Sequence, residues 1–157
     1  MNRVLRALQS PRALRLLLNV YPPYLMTGIV VREIASDWRR VVVSMQLRWY
    51  NRNYFGTHFG GSLFAMTDPF YAIMLARNLG PDYIVWDRSA EIEFLRPGRG
   101  TVTAVFELAP QQVAAVLEAT AGGDKHQPTW PVEVRDERGE VVARVCKTLY
   151  VRRKALP

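Results

Sequence analysis

The sequence predicts an α+β domain in which an antiparallel sheet wraps one long apolar helix. Three observations predict it. Ser62 to Leu79 is apolar nearly all round (Leu63, Phe64, Met66, Phe70, Ile73, Met74, Leu75, Leu79), the pattern of a helix buried in something larger. Two strand-like segments precede it, and three or four follow. No second apolar stretch of that length exists, so the sheet has to wrap the helix.

The elements follow in order. Residues 1–22 read as an N-terminal helical extension broken near Pro11, packing Leu5, Leu8, Leu14 and Leu17 or Leu18 on the domain. Gly28 to Ile34 and Arg40 to Leu47 are β-branched runs joined by a short polar link, a hairpin. Asn51 to Gly61, rich in Asn, Gly and aromatics, is a loop. The buried helix ends at Gly80-Pro81, and Pro69 within it predicts a kink or a lost backbone bond. Ile84 to Leu95 alternates, with Trp86, Ala90, Ile92 and Phe94 on one face and Asp87, Ser89, Glu91 and Glu93 on the other. Thr101 to Leu108 is the next strand. Residues 109–131 form an insertion, a helix from Pro110 to Ala119 and then a loop from Ala121 to Pro131. Val132 to Arg135 and Val141 to Val151 close the chain as a hairpin turning at Asp136 to Gly139.

Composition narrows the function. At 157 residues with 49% hydrophobic and 22% charged residues, the chain is one globular domain, residues 1–157. Cys146, the single cysteine, makes no internal disulfide, so the cytoplasm is the simpler home. With His58 and His126 it also leaves too few ligands for an all-protein zinc site. The net charge of +7 suits an anionic small molecule, a nucleic-acid surface or plain solubility. No helix-turn-helix, zinc finger or RNA-binding aromatic signature supports nucleic acid. Arg3, Arg6, Arg12 and Arg15 give the N-terminus the look of a transit peptide or a membrane-surface helix, but a helix packed on the domain is the simpler reading. No run of about 18 uncharged apolar residues exists to span a bilayer.

The chemistry centres on Asp68, the only residue charged at neutral pH between Asn53 and Ala76 with His58 taken as neutral. A carboxylate on an apolar helix is costly unless paired or facing a polar cavity, and burial makes a carboxylate a better base. The competing structural reading caps a loop or pairs Asp68 with a neighbouring arginine. Gly60 and Gly61 let a ligand approach the backbone, and amides at a helix start present donors to an oxyanion. Gly61 precedes Asp68 by seven residues, about 10 Å along a helix axis, too far for one ligand carbonyl to meet both. A dimer that joins one subunit's glycines to the other's aspartate solves this. His58 lacks Ser-His-Asp or Cys-His spacing, so a role lining a pocket or bonding backbone is favoured over general base. Ser62 reads first as a helix cap, then as a substrate contact. Cys146 reads as a small strand residue and His126 as a solvated loop residue.

Asn53-Tyr-Phe-Gly-Thr-His58-Phe59-Gly60-Gly61, followed by a helix carrying Asp68, resembles the signature of hotdog-fold acyl-CoA thioesterases of the phenylacetyl-CoA thioesterase-like group. Phe94-Leu95-Arg96-Pro97-Gly98 resembles the end of a strand in the same group. The resemblance covers Gly28 to Val151 and is closest to an uncharacterised branch. It implies a curved antiparallel sheet around one central helix, and a homodimer, possibly a tetramer, paired through the sheets. Acyl-CoA would lie at the subunit interface, with CoA entering as part of the substrate and no separate cofactor. It further implies Asp68 as nucleophile or base, the Gly61 amide as the group polarising the thioester, and Asn53 as a residue positioning substrate or water. His58, Phe59, Gly60, Ser62, Phe94, Arg96 and Gly98 would line the substrate. Phe59 stands where the group has histidine, with His58 one place earlier, and Pro69 directly follows the aspartate.

Three functions follow. Thioester hydrolysis rests on Asp68, the glycines and the resemblance. Acyl or acyl-CoA binding without catalysis is the alternative, motivated by Phe59. Hydratase or dehydratase action rests on shared fold alone, since Ile73 stands where that chemistry wants a histidine. Arg99, Arg152 and Arg153 are candidates for the CoA phosphates or are solvated strand ends. Phe55, Phe59, Phe64, Phe70 and Tyr71 either line an acyl tunnel or fill the core.

Overall fold

A computed structural model describes residues 10–155. Leu5 and Leu8, expected to pack on the domain, lie outside that range. Helices α1 (Pro11–Val20) and α2 (Pro22–Leu25) lead into strands β1 (Ile29–Ile34) and β2 (Arg40–Gln46). Then come α3 (Gly60–Ala65), α4 (Phe70–Leu79), β3 (Tyr83–Phe94), β4 (Thr101–Glu107), α5 (Pro110–Ala119), β5 (Lys125–His126), β6 (Thr129–Asp136) and β7 (Val141–Arg153). The strands form one antiparallel sheet in the order β1-β2-β4-β6-β7-β3, with β5 pairing the far end of β7. The segment from Ala121 to Pro131 is therefore not all loop: it holds β5 and the start of β6.

The central helix supplies the core. Phe70, Met74 and Leu75 of α4 are buried against Val43, Met45, Ala104, Phe106, Val134, Val145 and Leu149 of the sheet. The Phe106 ring lies 5.1 Å from both Phe70 and Tyr71, centroid to centroid. Burying each such side chain contributes about 1.5–3 kcal/mol. Tyr71 keeps its polar end satisfied by donating to the Pro131 carbonyl at 2.9 Å, and burial pushes its phenol up to about 12.

The helix expected from Ser62 to Leu79, with a kink or lost backbone bond at Pro69, is interrupted there and divides into two. It starts earlier, at Gly60, stops at Ala65 and resumes at Phe70. Proline has no N–H to donate and its ring crowds the preceding turn; the break spans Met66 to Pro69, with tighter bonds from Thr67 N–H to Phe64 O (3.0 Å) and Asp68 N–H to Ala65 O (3.2 Å). Ser62 is the third residue of α3 and buried, while Phe59 holds the cap position, so the expected cap at Ser62 is not formed.

A second correction concerns β3. Its register against β7 slips between Asp87 and Ser89, leaving Arg88 as an extra residue. A bulge of one residue reverses which side chains face the core. Val85 packs against the core before the bulge and Ala90 and Ile92 after it. Asp87 consequently points inward, and Trp86 faces out, stacked 4.1 Å from Tyr150.

The N-terminal segment closes one edge of the sheet. Leu14 is buried, Leu18 packs against the core and Leu17 is exposed. Asn19 of α1 accepts the Val31 N–H at 2.7 Å and donates to the Val31 carbonyl at 3.1 Å, while Arg15 donates to the Arg32 carbonyl at 3.0 Å. Strand β3 lies at the opposite end, paired on one side by β7. No helix among the described residues is long and apolar enough to cross a membrane.

Phe106→Ala is expected to lower the free energy of unfolding by about 3–5 kcal/mol, read by urea denaturation. A loss below about 1 kcal/mol would contradict the packing of Phe70 and Tyr71 on this ring.

Candidate active site

Asp68 sits in the break between α3 and α4, so it is not carried on an apolar helix surface. Its side chain is 59% exposed, and Oδ1 accepts from the Lys147 ammonium at 2.9 Å. The structural alternative in the sequence was an arginine partner; the cation is a lysine from β7. Lys147 itself is only 3% exposed. It also lies 3.2 Å from Oδ1 of Asp87, which is 19% exposed. That Asp87 oxygen is in ion-pair contact but off hydrogen-bond alignment, and it accepts no other hydrogen bond among the described residues. Burial raises the Asp87 carboxyl above its ordinary range, the Lys147 charge opposes this, and the Asp68 charge adds to it. Tyr24 of α2 donates its hydroxyl to the Asp68 backbone carbonyl. Burial, and then the Asp68 carboxylate, raise that phenol well above the ordinary value.

Asp87 and Lys147 did not emerge from the sequence as site residues. For Lys147 a signal was present. It occupies an inward place in the alternation Val145, Lys147, Leu149, Val151, where every other member is apolar and buried. For Asp87 the signal was hidden, because the bulge at Arg88 reverses the alternation on which a sequence reading depends.

A second feature is a cleft of about 510 Å³ lined by Asn53, Thr57, His58, Gly60, Phe94 and Arg96, with Leu63, Pro97, Gly98 and Arg99. Its volume is that of a small-molecule site. Asn53 shapes the loop at its rim. The side-chain amide donates to Thr57 Oγ1 (3.0 Å) and the His58 carbonyl (3.2 Å), and Oδ1 accepts from the Phe55 and Thr57 amides at 2.9 and 3.1 Å. His58 is buried. Its Nε2 lies 3.1 Å from the Gly100 carbonyl and its backbone N–H donates to the Gly98 carbonyl. A carbonyl cannot donate, so Nε2 carries the proton, and buried Nδ1 has no partner among the described residues. Burial lowers the His58 pKa below its ordinary 6.5, against the opposing pull of the Gly100 bond. The ring thus lies where the pocket-lining, backbone-bonded reading put it.

Gly98 is buried beneath that ring; a Cβ there would stand 3.0 Å from Val142 and 3.2 Å from the imidazole. At the start of α3, a Cβ on Gly61 would stand 2.4 Å from the Phe59 ring. The first amides of α3, at Gly60 and Gly61, have no carbonyl one turn back within the helix to receive them. Phe94 and Arg96 are exposed at the cleft, Arg96 paired with Glu140. Ser62 is buried behind it. Asp68 is not among the residues that line this cleft.

A central helix held in a wrapped antiparallel sheet, with a Gly-Gly helix start and a carboxylate at the helix break, defines a hotdog fold. The chain belongs to the family described as a domain of unknown function (DUF4442), whose model matches residues 11–151. No curated protein matches it. Solved structures show the same fold. A Pseudomonas aeruginosa protein of unknown function, called a probable thioesterase, is 18% identical with a TM-score of 0.78, covering 92% of this chain and 99% of its own. A Haemophilus influenzae thioesterase is 18% identical at 0.66, covering 92% and 91%. The PaaI protein of the E. coli phenylacetic acid degradation operon is 19% identical at 0.63, covering 98% and 97%.

His58 gives a pH-dependent expectation. With its folded pKa below the unfolded value, the unfolded chain binds the extra proton. Its contribution to stability is full above pH 6.5 and is lost as pH falls from there through the folded pKa. Urea midpoints between pH 8 and 5 should fall more steeply for wild type than for His58→Gln; equal slopes would place the titration elsewhere.

Proposed function

We propose that this protein hydrolyses the thioester of an apolar acyl-CoA, with Asp68 as nucleophile or as the base that activates water. The observation that carries this reading is an exposed carboxylate fixed by the buried Lys147 at a helix break, on a fold shared with thioesterases. As a base, Asp68 takes a proton from water while the water oxygen attacks the acyl carbon. The carbon–sulfur bond then breaks, and the CoA thiolate leaves and is protonated. The Gly61 amide donates to the developing oxyanion, a contribution of about 3–4 kcal/mol where such donors have been removed. Asn53 acts by holding the loop that carries His58 and the glycines.

The active unit in this reading is a homodimer joined through β3. One sheet edge is closed by Asn19 and Arg15, whereas β3 offers a twelve-residue edge with Ile84, Trp86 and Phe94 exposed. Long open edges invite pairing. Pairing two β3 strands would bring one subunit's cleft beside the other's Asp68. Exposed Phe55, Phe59 and Phe94 around the cleft supply apolar surface for the acyl chain, and Arg96 and Arg99 at its rim supply charge for the CoA phosphates.

Thiol release from a panel of acyl-CoAs tests the reaction. Asp68→Asn is expected to lower turnover by about a hundredfold or more in a protein that still folds, with a lower melting temperature because the buried Lys147 keeps one carboxylate instead of two. Binding of acyl-CoA without turnover by wild type would overturn hydrolysis in favour of a binding protein.

Mixing tests the shared site. Alanine at Gly61 keeps the backbone N–H but its methyl would press on the Phe59 ring and displace the donor. Equal amounts of Asp68→Asn and Gly61→Ala protein, each first confirmed folded and inactive alone, then unfolded and refolded together, should recover about a quarter of wild-type activity, because half the dimers are mixed and each holds one intact site. Recovery of none would confine the site to one chain.

A further inference from the structure

Lys147 fixes Asp68 in the reaction above, and Asp87, packed inside the sheet beside the same ammonium, is left without a task. A buried ammonium is costly unless its partners meet its charge, and Lys147 has two: Asp68 at 2.9 Å from the break between α3 and α4, and Asp87 at 3.2 Å from β3. The three come from separate elements. The β3 bulge turns Asp87 inward, where it stands opposite Leu149, and Lys147 stands opposite Ala90 on the same face. Among the described residues Tyr24 of α2 also faces this cluster, and Asp68, Tyr21 and Asp87 all act on its phenol.

We propose that Lys147 is a positioning residue for Asp68, and that Asp87 shares its ammonium, so that the carboxylate is held in place within a cluster of two carboxylates and one ammonium. The inference rests on the thioesterase reading and deepens it. A lysine paired to Asp68 alone would fix the carboxylate but also neutralise it, which weakens a base or nucleophile. A second carboxylate on the same ammonium changes that balance. With all three groups ionised the cluster carries one net negative charge. Lys147 grips Oδ1 of Asp68 while more than half of that side chain stays open to solvent. Asp87, largely enclosed, meets the inner side of the ammonium. The cation therefore acts as a clamp, and Asp87 as its second counter-charge.

The two partners should move the pH response in opposite directions, which a purely structural role would not do. In the acyl-CoA assay, Lys147→Met should lower kcat by about tenfold or more with KM unchanged and move the acid limb of the pH profile to higher pH. Asp87→Asn should move that limb to lower pH. The same charges can be read without turnover by following the Asp87 carboxyl carbon by NMR titration. Its midpoint should rise in Lys147→Met and fall in Asp68→Asn. Should Lys147→Met fail to fold, Asp68→Asn and Asp87→Asn carry the same test. An Asp87 titration unmoved by either neighbour would overturn the shared ammonium. Activity lost with an unmoved pH profile would reduce Lys147 to a structural residue. A wild type without turnover would refute the hydrolase, and the inference with it as a catalytic device, while the NMR titration would still report whether the charges are coupled.

Discussion

Helix α4 is apolar on nearly every side, and one sheet is available to bury it. That constraint organises the molecule. Phe70, Met74 and Leu75 lie fully inside, so the sheet must supply apolar side chains along its length, and the inward positions of β2, β4, β6 and β7 do so. The helix cannot shift along its axis without uncovering part of this surface. Its N-terminal end is consequently fixed, and with it the break that carries Asp68.

The same packing explains why ionic groups occur inside the sheet. Lys147 takes a place that would otherwise hold valine or leucine, and in isolation it would destabilise the fold. Two carboxylates from different elements offset that cost, one on the helix break and one on the edge strand. The cluster ties β3, β7 and the central helix together at the point where the chain leaves regular structure. Asp68 reaches solvent from a surround of fixed charges, whereas His58 is enclosed, bonded through Nε2 to a carbonyl, and serves the loop.

Much of the fold was legible from periodicity. The β1–β2 hairpin, helix Pro110–Ala119 and the terminal hairpin lie within a residue or a few of their expected bounds, because β-branched runs, a proline at a helix start and Gly-bearing turns are local signals. Where the reading went astray, the cause was a single residue acting against its segment. At Pro69 the expected kink is a full break, from Met66 to Pro69, that divides the helix. Arg88, as the extra residue of a bulge, reverses the faces of β3 and sends Asp87 inward. In the site, Asp68 stood out because it is alone in an apolar stretch. Lys147 was visible only as a break in an alternating pattern, and no property of either residue's own segment pairs the two across 79 positions.

The amide of Asn19 has an effect larger than its two hydrogen bonds. By occupying both the N–H and the carbonyl of Val31, it makes the two borders of the sheet unequal. A sheet with two open borders can add neighbours at both and grow into a fibre. With Val31 on one border occupied by its own chain, that border has fewer free groups to offer an added strand than β3 has, so the bias between the two borders is written into a side chain at the far end of the sheet.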